Sequence, residues 1–89
     1  MTYTLKKEEI AYRKIGDEYF ILTTGDSTLH NVTGAGVRIF ELLDEGKSEE
    51  EILDALRGEY DAPQAELEAD LASFMAELEA KGIIARNDG

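Results

Sequence analysis

Between Thr28 and Leu43 the apolar pattern changes period within a few residues, and that change limits the folds open to the chain. Thr28, His30 and Val32 alternate with Leu29 and Asn31, as a strand with two faces requires. From Val37 onward, Ile39, Phe40, Leu42 and Leu43 follow helical spacing instead. A strand therefore hands over directly to a helix. Thr33 is the expected hinge, its hydroxyl accepting from an amide of the first helical turn while Val32 packs on Val37. Gly34 and Gly36, beside Thr33, lack the lysine and the full glycine spacing of a phosphate loop. Their expected role is close approach of the helix start to a neighbouring backbone.

Around this junction the remaining elements fall into order. Residues 10–15 and 18–24 read as hairpin strands about Gly16-Asp17, rich in aromatic and β-branched side chains. Gly25-Asp26 turns the chain into a third strand, 27–32, which completes an antiparallel meander. The first helix, 34–44, stops at Gly46. Ser48 and Glu51 form a capping box that opens a second helix with Ile52, Leu53, Leu56 and Tyr60 as its apolar face. Pro63 separates it from a third helix carrying Leu67, Leu71, Phe74, Met75 and Leu78, which closes at Lys81-Gly82.

The predicted fold is α+β and winged helix-turn-helix-like: a three-stranded meander followed by three helices. Residues 1–9 are expected as a flexible arm that contributes a short edge strand through Tyr3 and Leu5. Residues 10–85 form a single domain, Ile83 and Ile84 fold back as an apolar cover, and 86–89 fray. At 89 residues the chain can bury one core and no second.

Composition narrows the chemistry. With no cysteine, thiolate metal sites, cysteine-held clusters and cysteine nucleophiles are excluded, and the chain suits a reducing cytoplasm. His30 is the single histidine, without a partner set for catalysis or metal binding, so it reads as a strand or binding-surface residue. No metal, cofactor or catalytic residue is expected. Nothing in the sequence resembles a secretory signal or a membrane span. Asp26-Ser27-Thr28-Leu29 only approaches the serine motif of acyl carriers and lies in a turn entering a strand.

The formal charge of −11 is concentrated in residues 48–89, where twelve acids face three bases. Such a surface repels phosphate, so nucleic acid and anionic membrane are poor partners. The third helix carries Glu66, Glu68, Asp70, Glu77 and Glu79 against Lys81, the reverse of what a recognition helix on DNA needs. A regulatory or interaction module of winged-helix type is the competing reading.

From residue 10 to 84 the chain resembles the PqqD-like proteins, the recognition elements for precursor peptides in ribosomally made, modified peptide pathways. The matching pieces are Gly16-Asp17-Glu18-Tyr19-Phe20-Ile21-Leu22, His30-Asn31-Val32-Thr33 running into Gly36-Val37-Arg38-Ile39-Phe40-Glu41-Leu42-Leu43-Asp44, and Gly46-Lys47-Ser48 with Glu51-Ile52. Leu56, Glu59-Tyr60-Asp61, Glu68-Ala69-Asp70-Leu71, Phe74, Leu78 and Gly82-Ile83-Ile84 follow in order. The chain departs from the family pattern at Val32-Thr33, at Phe40 and at Pro63, which puts the start of the third helix in question.

The resemblance implies a noncatalytic peptide chaperone. A leader peptide would add as a strand beside the third strand and lie in a cleft against the third helix. A meander edge with unpaired amides and carbonyls suits that role on physical grounds. The expected groove comprises Thr28, Leu29, His30, Asn31 and Val32 with Leu67, Asp70, Leu71 and Phe74; Leu71 and Phe74 serve equally as core. On this reading proline at His30 abolishes binding while the fold survives. The resemblance also implies a modifying enzyme as second partner, a radical S-adenosylmethionine protein holding its own cluster. Monomer and homodimer both stay open.

Overall fold

In the computed structural model, which describes residues 2–87, the sheets and helices follow the order β1 (Thr2–Leu5), β2 (Ile10–Ile15), β3 (Glu18–Thr23), β4 (Thr28–Val32), α1 (Ala35–Asp44), α2 (Glu49–Glu59), α3 (Gln64–Ala80) and β5 (Ile84–Asn87). The expected meander is present as an antiparallel sheet in the order β2-β3-β4. Its inner face follows from the two-residue alternation: Ile10, Tyr12, Tyr19, Ile21, Thr23, His30 and Val32 lie on one side, and most of them are buried.

Phe40, wholly buried, joins this face to α1, its ring 4.6 Å from that of Tyr19 and 5.3 Å from that of Tyr12. Such tilted and edge-on contacts suit aromatic quadrupoles. Tyr12 also donates a hydrogen bond of 2.5 Å to Asp44 at the end of α1, which pushes its hydroxyl up to about 12. On the helical side Ile52, Leu56, Leu71, Met75 and Leu78 complete the core. Arg38 Nε lies 3.0 Å from both carboxylate oxygens of Glu59, tying α1 to the last residue of α2 and raising the guanidinium pKa.

The ends of the chain differ from expectation. Residues 2–5 are not a loose arm, and 86–87 do not fray: β1 pairs antiparallel with β5 in a second sheet, Thr2 opposite Asn87 and Leu5 opposite Ile84. The pairing is driven by burial, since Tyr3, Leu5, Ile83 and Ile84 all belong to the core. Lys6 N donates to Ile83 O at 3.0 Å and extends the link. Residues 1, 88 and 89 of the expected arm and tail lie outside the described residues.

The hinge also differs. The cap of α1 is Gly34, at φ 63°, and no side chain caps it, so Thr33 does not act as expected. A left-handed residue that only glycine adopts freely has been inserted between strand and helix. The capping box at Ser48 is present, with Ser48 N 2.9 Å from Glu51 Oε1 and Glu51 N 3.2 Å from Ser48 Oγ. The Ser48 amide donating to it, with the nearby Ser48 hydroxyl, holds the Glu51 carboxyl below its ordinary pKa. Pro63 stands immediately before α3, and Tyr60, expected on the apolar face of α2, ends that helix and is exposed.

Candidate functional site

β4 has a neighbour on one side only among the described residues, so its other side is an open edge. Which residues address that edge follows from the ladder. The two-residue loop at Gly16-Asp17 closes on the pair Ile15 and Glu18, which is the hydrogen-bonded kind. Alternation then makes Arg13 with Phe20 and Ala11 with Leu22 the bonded pairs between β2 and β3. Thr24 N donating to Glu9 O at 3.0 Å continues the same series. Hence Tyr19, Ile21 and Thr23 bond across to Val32, His30 and Thr28, and the main-chain groups of Leu29 and Asn31 point outward.

Side chains alternate with the opposite sense. Val32 is buried and His30 half-buried on the inner face, while Leu29 and Asn31 are exposed on the outer one, Leu29 to 64%. The imidazole Nε2 of His30 lies 3.4 Å from Thr23 Oγ1. That hydroxyl also donates to Asp26, holding the Asp26 carboxyl below its usual pKa. The carboxylate thus partners the hydroxyl rather than the imidazole, the wrong order for activating a nucleophile.

The inner face of β4 meets α3 over a glycine. A Cβ placed on Gly36 would lie 2.8 Å from Phe74 Cε1 and 3.0 Å from Val32 Cγ1, so a strand residue and a helix residue share this one neighbour. The close approach expected of the helix start is real at Gly36, but it is made to side chains; Gly34 instead supplies backbone conformation. Val32 and Phe74, both expected in the groove, are brought together. Phe74 is only partly buried and packs against the core, while Leu71 is part of the core.

Leu67, Asp70 and Leu71 line a neighbouring cavity of about 220 Å³ between the three helices, together with Ala35, Ile39 and Leu56. Of these walls, Ala35 is adjacent in sequence to Gly36, the neighbour that Val32 and Phe74 share. Thr28 sits about 13 Å along the strand from Val32 and is not brought to α3 by any contact that Gly36 mediates. The additional wall residues Ala35, Ile39, Leu56 and Tyr60 escaped sequence reasoning because an apolar side chain facing a cavity has the same period as one facing the core.

Elsewhere the surface offers less. A depression of about 500 Å³ between the β1–β2 turn and the end of α1 has the Lys7–Asp44 ion pair, 3.6 Å, among its lining residues. Among the described residues no three His, Cys, Asp or Glu side chains stand together as a metal site, and no helix is long and apolar enough to cross a membrane.

Residues 18–84 match the sequence profile of a family described as coenzyme PQQ synthesis protein D (PqqD). Among solved structures, TbiB1 in complex with the TbiA(beta) leader peptide superposes with a TM-score of 0.89 at 30% identity, covering 97% of this chain and 99% of that one. Lasso peptide synthetase B1 complexed with the leader peptide superposes with a TM-score of 0.80 at 21% identity, covering 97% and 100%. This second likeness is one of fold. No curated protein matches the chain.

Proposed function

The chain belongs to the PqqD family, and from that premise we propose that it is a noncatalytic peptide chaperone. It binds the leader of a ribosomally made precursor by adding it as a strand to β4, and presents it to a separate modifying enzyme. The observation that carries the reading is the open edge of β4, with the main chain of Leu29 and Asn31 facing outward beside the Val32–Gly36–Phe74 junction. TbiB1, similar over nearly its whole length, is a protein whose structure was solved with a leader peptide. A radical S-adenosylmethionine enzyme as the second partner rests on family analogy alone.

The energetics favour a weak to micromolar complex. A segment pairing with Leu29 and Asn31 exchanges up to about four main-chain hydrogen bonds, each contributing about 0.5–1.5 kcal/mol net. Two apolar anchors add about 1.5–3 kcal/mol each. Association costs at least about 4 kcal/mol. The net is about −1 to −8 kcal/mol, so a micromolar complex marks the upper limit of what these contacts supply. Alternate residues of the added strand face inward, towards His30, Val32 and α3.

The test uses peptides of about twelve residues selected from a random display library on the immobilised protein, measured by fluorescence anisotropy. Leu29→Pro and Asn31→Pro each remove an outward amide and leave the β3 ladder intact. Both are expected to weaken the selected peptides more than about tenfold, which is 1.4 kcal/mol. Undiminished affinity in both variants contradicts strand addition.

A further inference from the structure

The cavity between the helices carries information about which peptides are chosen. Its walls are apolar, Ile39, Leu56, Leu67 and Leu71 being almost wholly buried, and at about 220 Å³ it is smaller than the usual site for a free ligand or cofactor. It has room for one side chain. Its wall residue Ala35 precedes Gly36, where Val32 of β4 and Phe74 of α3 meet, and Leu71 of the wall is three residues before Phe74 on the same helix.

Two carboxylates, Glu66 and Asp70, complete the lining, and both residues are exposed. Of the other acids of the helical half, Asp54, Glu59 and Glu77 pair with Arg57, Arg38 and Lys81, while Glu49, Glu50, Asp61, Glu68 and Glu79 stand in no ion pair among the described residues and line no part of this cavity. Glu66 and Asp70 take part in no ion pair among the described residues, and no basic residue lines the cavity. They stand four apart on α3, where like charges repel. A cation at the mouth relieves that repulsion.

We propose that this cavity is a specificity site of the chaperone: it takes one aliphatic or aromatic side chain of the leader, while Glu66 and Asp70 select a lysine or arginine within two residues of it. The assignment rests on the leader-binding reading and names the peptide chemistry that reading leaves open. The apolar wall supplies affinity without discrimination, and the two carboxylates supply the discrimination.

The experiment repeats the random twelve-residue selection on the wild-type protein, on the Glu66→Gln/Asp70→Asn double variant and on a Glu66→Lys/Asp70→Lys variant. Wild type enriches peptides with an apolar residue and a nearby Lys or Arg. The neutral variant loses that bias, and the lysine variant turns it towards Asp and Glu. At low salt the neutral variant binds a lysine-bearing wild-type selection about 3- to 10-fold more weakly, and binds its Lys→Gln counterpart unchanged. Ala35→Phe, filling the mouth from an exposed position, weakens the same peptide about tenfold or more.

The same basic bias in wild type and neutral variant assigns it to the overall charge and overturns the proposal, as does enrichment without any bias. If such peptides still depend on Asn31, strand addition stands and only the specificity site fails. If they ignore Asn31→Pro but follow the charge swap, the site stands without strand addition. Failure to enrich any peptide overturns both.

Discussion

Gly36 has a hydrogen where any other residue would set a methyl group against Phe74 and Val32. The nearest atoms are the far end of the Phe74 ring, which can swing, so Gly36→Ala should fold. Its gain in helix propensity, up to about 1 kcal/mol, offsets the crowding. We expect thermal stability within about 1 kcal/mol of wild type, but weaker peptide binding because the displaced ring enters the cleft. Calorimetric melting alongside peptide titration checks this; full affinity would remove Gly36 from the site. Tyr12 makes a second prediction. Its raised pKa means that the neutral hydroxyl, donating to Asp44, stabilises the fold below about pH 10 and that this contribution fades as pH climbs towards 12. Tyr12→Phe should therefore cost about 1 kcal/mol at pH 7, lowering the melting temperature by about 4–8 °C, with the gap to wild type closing between those pH values. The need for a small residue at Gly36 was legible in the sequence. Its partner, Phe74, was not, because nothing in helical spacing says which strand a half-buried aromatic overhangs.

Among the elements, β4 is the one whose chemistry depends on register. Its existence was readable from the alternation through Val32, and so were the hairpin at Gly16-Asp17 and the capping box at Ser48, each carried by local residues. The parity of its hydrogen bonds was not readable, since it depends on pairing with β3. That parity changes the choice of mutation. His30 bonds inward to Ile21, so His30→Pro breaks the sheet itself and should cost about 3 kcal/mol or more, whereas Leu29→Pro should melt near the wild-type temperature. Comparable destabilisation by the two prolines, measured by thermal melting, would show that the outward residues are misassigned. The short strand through Tyr3 and Leu5 was readable, but its pairing with β5 escaped the sequence for a related reason. Each strand is four residues long, and its partner lies at the other end of the chain. No window along the sequence contains both.

At the scale of the molecule, an acidic helical half adjoins an open strand edge. The charge of −11 favours partners that are neutral or basic and disfavours polyphosphate. With Glu66, Glu68, Asp70, Glu77 and Glu79 on α3, a winged-helix mode of DNA binding would have only Lys81 at the end of that helix, itself paired with Glu77, to displace phosphate counterions. We expect no mobility shift of duplex DNA at about 0.15 M salt, and a stable shift would reopen the regulatory reading. Family membership accounts for the fold over residues 18–84; the function turns on what the free edge does. Residue-resolved amide hydrogen exchange, with and without a selected peptide, addresses that edge directly. In the free protein the amides of Leu29 and Asn31 should exchange fast while those of His30 and Val32 are protected, and peptide binding should slow Leu29 and Asn31 selectively. A bound peptide that leaves those two amides as fast as before would contradict strand addition at β4.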